Sequence, residues 1–290
     1  MKTTVLIPTY NRLNWLKEAY ASIDETDVEI YILANGCTDG TNEWLNTLQD
    51  PRVVHSIVEA PMGVAAVVSL IGHMPIHLEG YATILCDDDR LRPGGLKLRR
   101  AFLDDHPELA MVFTRTHTID AEGNDLGLHQ MGGISEQDLH TGAMDFSRTL
   151  CGNYVPGVTA MWRTSAINKF FHWQNAENFA KYGACVDWMM WLKICEAGLD
   201  GGYLNTATTD IRMHSSALSA TESQDKTTLD NHMSVWRYWI KAHNRKPALV
   251  ERVMIIRFIY MLAQICEKNP IEYVKDLFSE EELFEILGNV

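Results

Sequence analysis

The chain has 290 residues, 46% hydrophobic and 22% charged, with a formal net charge of −13. Such a chain can bury a large core as one domain, with or without a smaller extension, and its composition argues against disorder. The acidic balance argues against a general nucleic-acid binder, which needs a basic face to displace counterions, and against simple electrostatic docking on anionic lipid.

In chain order, Thr4–Ile7 reads as a strand and Leu13–Ile23 as a helix. Val28–Leu33 reads as a second strand, followed by a helix near Thr41–Leu48 and a third strand over Val53–Val58. A helical stretch covers Val64–Ile71, and Ala82–Cys86 is a short apolar strand. A helix from Gly94 to Leu103 and a strand over Leu109–Thr114 follow. This alternation predicts an α/β fold with a mainly parallel sheet flanked by helices. Ligands of such sheets bind at the carboxyl ends of the strands, so Pro8–Arg12, Ala34–Asp39 and Asp87–Asp89 are expected along one rim.

Ala121–Gly142 is polar and Gly-rich and reads as loops. Order returns with Val158–Trp162 and a helix near Ser165–Phe171. From Asp187 to Ala197, Trp188, Trp191, Leu192 and Cys195 recur at helical spacing, and Gly198 supplies the stop. Short strands are expected at Gly202–Leu204 and Thr208–Arg212, and the pattern after about Thr221 is helical. The longest apolar-rich segment, Val253 to Cys266, contains Arg257 and is short for a membrane span. The N-terminal apolar run is too short for a signal peptide. Six scattered cysteines show no zinc spacing and no Cys-x-x-Cys, which suits reduced cytoplasmic thiols.

The most informative stretch is Ala82-Thr-Ile-Leu-Cys-Asp-Asp-Asp-Arg-Leu-Arg-Pro93, an apolar strand ending on Asp87, Asp88 and Asp89. Carboxylates in a row repel one another and hold no core together. Two readings are open: a solvated acidic turn, or a site where a divalent cation or a nucleotide's ribose meets them. Asp187 also has two readings, as a cap of the helix beginning at Trp188 or as a general base. His214 is either a structural histidine or a metal or diphosphate ligand. No glycine-rich phosphate loop follows the first strand, which disfavours nucleotidyltransferases and dehydrogenases.

Five segments in order resemble inverting, GT-A fold glycosyltransferases of family 2, over roughly residues 3–220. They are Val5-Leu-Ile-Pro-Thr-Tyr-Asn-Arg12, Asn35-Gly-Cys-Thr-Asp-Gly-Thr41, the aspartate strand with Pro93, Val186-Asp-Trp-Met-Met-Trp-Leu-Lys193, and Ile211-Arg-Met-His-Ser-Ser-Ala-Leu-Ser219. The resemblance implies a catalytic domain over 1–220 and a C-terminal helical extension over 221–290. It implies transfer from a nucleotide-diphosphate sugar, most plausibly a UDP-sugar, to a hydroxyl of a saccharide or glycolipid, as in surface polysaccharide assembly. A divalent metal, Mn2+ or Mg2+, is the implied cofactor, because a leaving diphosphate gathers negative charge.

Residue by residue, the resemblance makes Asp187 the catalytic base and Asp88, Asp89 and His214 the metal set, with Asp88 the favoured ligand and Asp89 an alternate one. Thr9, Tyr10, Arg12, Asn35, Asp87 and Arg212 become donor contacts, with Asp87 near the ribose. Three positions depart from the family pattern, Ala34, Cys86 and Val186, each standing where an acidic residue is usual. They sustain a second reading, a catalytically degenerate nucleotide-sugar-binding or scaffold protein. Asp39 reads as a helix cap, and Trp188, Trp191, Met189 and Met190 as core. The mixed basic and apolar segment Arg245–Arg257 is read first as docking onto the catalytic domain or a dimer contact. Its alternative is contact with the inner face of a membrane carrying a lipid-linked acceptor.

Overall fold

A computed structural model of the chain describes residues 1–63, 80–129, 146–167, 182–218, 220 and 226–287. Its nine strands are β1 (Lys2–Thr9), β2 (Val28–Asn35), β3 (Val53–Val58), β4 (Gly80–Ile84), β5 (Arg90–Leu91), β6 (Leu109–Ile119), β7 (Asp125–Leu128), β8 (Met161–Arg163) and β9 (Asp200–Arg212). They form one sheet in the order β3-β2-β1-β4-β8-β6-β9-β5, with β7 beside β6. β1, β2, β3 and β4 run parallel, as do β6 and β9, whereas β8 is antiparallel to both of its neighbours.

The helices are α1 (Leu13–Ala21), α2 (Thr41–Thr47), α3 (Gly95–Asp105), α4 (Phe146–Cys151), α5 (Thr164–Ile167), α6 (Val186–Glu196), α7 (Thr228–Trp236), α8 (Leu249–Ile265), α9 (Pro270–Leu277) and α10 (Glu280–Leu287). A π-helical turn, Arg237–Ala242, continues α7. The predicted Val64–Ile71 helix lies outside the described residues, as does most of the predicted Ser165–Phe171 helix.

Central position explains which strands are easy to read. β1 and β4 are buried on both faces, so their sequences do not alternate polar with apolar residues. Val5, Ile7, Ile30 and Ile32 pack with Leu16 and Ala19 of α1 and with Leu96 and Leu103 of α3 in one cluster. β3 closes the edge and leaves Val54 and Ile57 exposed.

Two expectations are corrected. The Ala121–Gly142 stretch is not all loop: Asp120 accepts the Asn124 and Gly123 N–H groups to make a tight turn, and β7 then pairs back on β6. Order does return at Val158–Trp162, as a 3₁₀ turn, Gly157–Thr159, and the short β8. The two short strands near 202 and 208 are one strand, β9, paired along β6 with register shifts.

Two compact units compose the chain. The first comprises residues 1–144, 154–180 and 193–213, and carries the sheet. At its centre is Arg99 of α3, fully buried. Its guanidinium donates to the hydroxyls of Thr83 on β4 (3.0 Å) and of Thr208 (2.9 Å) and Thr209 on β9. Burial pulls the Arg99 pKa down to about 9, so the group is still charged at neutral pH. Gly95 opens the same helix because a Cβ there would lie 2.7 Å from the Thr208 carbonyl oxygen.

The second unit comprises residues 145–153, 181–192 and 214–290 and is helical. Trp188 and Trp236 meet edge to face at 5.5 Å, and their indoles donate to the Thr149 and Leu150 carbonyls. His232 is buried against both rings, and desolvation lowers its pKa to about 4. Trp188, Trp191, Met189 and Met190 are core, as expected. Among the described residues no helix is long and apolar enough to cross a membrane.

Arg99→Ala is expected to cost about 2–4 kcal/mol, from the cavity and from the three hydroxyls losing a charged donor. Urea unfolding checks it; an unchanged midpoint would show that the Arg99 network contributes no stability.

Candidate active site

Three strand ends build the candidate site in the first unit. β1 and β4 are hydrogen-bonded neighbours, with Leu6 opposite Ile84, and the Leu85 N–H continues the ladder to the Leu6 carbonyl. The chain then turns: the Asp89 N–H donates to the Cys86 carbonyl (3.1 Å). Asp87, Asp88 and Asp89 follow, at 4%, 8% and 5% exposure. A solvated acidic turn is therefore excluded.

Buried carboxylates need donors or cations. Asp87 accepts the Tyr10 N–H (3.2 Å) and Arg12 Nη1 (3.1 Å), and Asp88 accepts the same Nη1 at 2.6 Å. Asp89 accepts the Arg212 N–H at 2.8 Å. That meeting follows from register: Arg90 pairs with Asp210 in the antiparallel β5–β9 ladder, which brings Arg212 alongside the aspartates.

Burial, reinforced by the neighbouring Asp88 charge, pushes the Asp87 pKa up to about 6, against the pull of Arg12. Asp89 is raised well above the usual carboxylate range by burial and by the Asp88 charge. Burial opposes the charge on Arg12, but Asp87 and Asp88 outweigh it and raise its pKa. Arg12 thus pairs with Asp87 and Asp88, whereas Arg212 meets Asp89 through its main-chain N–H and pairs its guanidinium with Glu18 at 2.6 Å. Among the described residues the carboxylates outnumber the guanidiniums, so the donor set suits a divalent cation. One ligand atom each from Cys86, Asp88 and Asp89 lies within 4.8 Å of the others.

Arg212 and Asn35 engage the protein itself. Arg212, 2% exposed, donates to the carbonyls of Asp88 (2.8 Å), Asp120 (3.3 Å) and Ala121 (2.9 Å) besides Glu18. Asn35 accepts the Met62 N–H at 2.8 Å and reaches the Gly63 carbonyl at 3.5 Å. Beside it Gly36 has φ +73°, and a Cβ there would sit 2.6 Å from the Pro61 nitrogen, so only glycine fits. Thr9 is buried at 2% exposure, whereas the Tyr10 side chain is about half exposed at 49%. Asp39 accepts the Thr41 N–H and hydroxyl and the Leu13 N–H, capping as expected.

In the second unit, Asp187 lies in the first turn of α6 and accepts Asn153 Nδ2 (2.9 Å) and the Trp188 N–H (2.7 Å). One oxygen, Oδ1, takes both bonds. His214 Nδ1 lies 2.9 Å from the Ser216 hydroxyl.

Several participants carry no local sequence signal. Trp15 lies 6.0 Å from the Arg12 guanidinium and 5.5 Å from that of Arg212, flanking both cations that serve the aspartates. Trp15 and Glu18 fall one turn apart on α1, a helical spacing that any amphipathic helix shows. Asn153 precedes its partner by 34 positions, which no local motif marks.

Residues 4–171 match the family described as glycosyl transferase family 2. The chain belongs to that family. Its fold is GT-A, and this glycosyltransferase superposes on solved members with that architecture. S. aureus TarS 1–349, in complex with UDP-GlcNAc, aligns at TM-score 0.64 and 17% identity over 91% of this chain and 73% of that one. The mannosyltransferase PcManGT from Pyrobaculum calidifontis, in complex with GDP-Man and Mn2+, aligns at 0.59 and 15% over 99% and 79%. No curated protein matches the transferase by sequence.

A carboxyl whose pKa is raised on folding stabilises at low pH and loses that contribution as pH rises through its folded value. Relative to Asp87→Asn, which keeps an acceptor for Tyr10 and Arg12, the metal-free protein is expected to lose up to about 3 kcal/mol between about pH 4 and pH 7. Chemical denaturation across that range tests this; parallel profiles for the two proteins would refute it.

Proposed function

We propose that the transferase is a metal-dependent, inverting enzyme that moves a sugar from a nucleotide-diphosphate donor, a UDP-sugar by preference, to a hydroxyl of a saccharide or glycolipid. The observation that carries the reading is the buried row Asp87–Asp89 at the end of β4, met by the Arg12 guanidinium and the Arg212 main-chain N–H. The donors seen with TarS, UDP-GlcNAc, and with PcManGT, GDP-Man and Mn2+, support a nucleotide-sugar and a divalent ion. Residues 1–220 are taken as the catalytic region and 221–290 as the helical extension.

The roles follow from chemistry. Asp88 and Asp89 would hold the ion, with His214 a further candidate, and bound there it would offset charge developing on the diphosphate. Thr9 and Tyr10 beside the β1 end are assigned to the nucleoside, and Asp87 to the ribose. Arg12 orients Asp87 and Asp88 and brings positive charge to the donor side. Arg212 and Asn35 serve the donor indirectly, the first by fixing Asp88 and Asp89, the second by fixing residues 62–63.

Inversion is a single displacement. The acceptor oxygen bonds the anomeric carbon as the carbon–oxygen bond to the diphosphate breaks, and that electron pair leaves with the diphosphate. Asp187 takes the acceptor's proton. Asn153 and the Trp188 N–H both bind Oδ1, which orients the carboxylate. In surface polysaccharide assembly the acceptor would be a growing glycan or a lipid-linked one.

Asp187→Asn is expected to lower transfer by roughly 10²–10⁴-fold, the scale of a lost general base, while donor affinity stays near wild type. Single-turnover transfer alongside donor titration checks it, and full transfer would remove Asp187 from the chemistry. In thermal unfolding, one class among UDP-, GDP-, CMP- and dTDP-sugars should raise Tm with Mn2+ and not with chelator. Stabilisation without any transfer would favour the scaffold reading; no stabilisation by any donor would count against the nucleotide-sugar site.

A further inference from the structure

The turn that ends β4 gives its acidic residues two overlapping sets of neighbours, with Arg12 Nη1 shared by Asp87 and Asp88. Asp87 faces the β1 end, where Tyr10 and Arg12 hold it. Cys86, Asp88 and Asp89 form a cluster of three ligand atoms within 4.8 Å of one another. The hydrogen bond from the Asp89 N–H to the Cys86 carbonyl closes this turn and draws its first and fourth residues together. The Cys86 thiol also hydrogen-bonds the Asp89 carboxylate, so sulfur is already in contact with one of the oxygen ligands assigned above. Cys86 is partly exposed, unlike the wholly buried Leu85 before it.

We propose that Cys86 is itself a protein ligand of the divalent ion, giving a site of two carboxylates and one thiolate that favours thiophilic ions such as Co2+ and Zn2+ over Mg2+. The inference rests on the metal-dependent reading above and adds to it the identity of the third ligand and the preference that follows. Carboxylates suit hard ions such as Mg2+ and Mn2+, whereas thiolate is a soft donor that ranks zinc and its neighbours higher. On ligation the thiol proton leaves to solvent and sulfur donates as thiolate. The hydrogen bond to Asp89 is then replaced by two donors converging on one cation, and the buried like charges gain a counter-charge.

The test is spectroscopic and needs no turnover. Co2+ is titrated into the reduced, metal-free full chain and into Cys86→Ser, Cys86→Asp and Asp88→Asn. The wild type should show a near-ultraviolet sulfur-to-cobalt charge-transfer band with visible ligand-field bands. Cys86→Ser should lose the charge-transfer band and keep the ligand-field bands, and Asp88→Asn should weaken both. The ratio of Co2+ to Mg2+ affinity, read by competition, should fall by about tenfold or more in Cys86→Ser and Cys86→Asp, since even residues outside the ligand shell shift metal affinity on that scale. Cobalt binding with no charge-transfer band in the wild type would overturn the inference and leave the metal site standing. A charge-transfer band that persists in Cys86→Ser would do the same. Failure of the wild type to bind Co2+, Mn2+ or Mg2+ at all would overturn this inference together with the metal reading on which it rests.

Discussion

Burying three successive carboxylates at the end of one strand is the constraint around which the first unit is organised. Two like charges about 4 Å apart repel by roughly 4 kcal/mol at an effective dielectric near 20, so the row persists only with donors fixed around it. Those donors come from far apart in the chain: the turn after β1 gives Arg12 and the Tyr10 N–H, and the end of β9 gives Arg212. The first source requires β1 to lie beside β4, and the second requires β5 to pair with β9. Strand order and charge compensation are therefore one problem with one solution.

The polar centre of the sheet serves the same arrangement. Arg99 links β4 to β9 through threonine hydroxyls, and Thr114 and Thr116 of β6 bond Thr208 Oγ1 and the Thr209 carbonyl. A dry apolar centre would pack as well but would tolerate sliding between strands. Hydroxyls reading one planar guanidinium specify the register that brings Arg212 beside Asp89.

What the sequence made legible follows from burial. β1, β2 and β4 were readable because each centres on a short apolar stretch, and the aspartates stood out because nothing apolar explains them. β9 was divided because Asn205, Thr206, Thr208 and Thr209 look like a break. Two of these threonines are wholly buried, their polarity answered by Arg99. β5, two residues long, and β7, four residues long and largely exposed, are too short to read as strands. In the site, residue type marked Asp87–Asp89, Arg12 and Arg212. It could not mark which partners occupy Arg212, because Glu18 lies 194 positions away and the Asp88 carbonyl 124. Trp15 was invisible for the same reason: its role depends on two cations brought together only by the sheet.

The separation between Asp89 and Arg212, 123 positions, bears on how the molecule comes into being. On a ribosome the acidic triplet emerges well before the residue that supplies the main-chain donor to Asp89. During that interval β4 can add to β1, because Arg12 is already present for Asp87 and Asp88, but Asp89 still lacks the N–H that it accepts. Closing such a long loop is slow on the scale of local structure. Productive assembly of the sheet's second half is thus timed by the arrival of β9, and a chain stalled before it would expose a half-sheet with an unneutralised acidic lip, a surface that cations and chaperones, rather than neighbouring strands, would be first to meet.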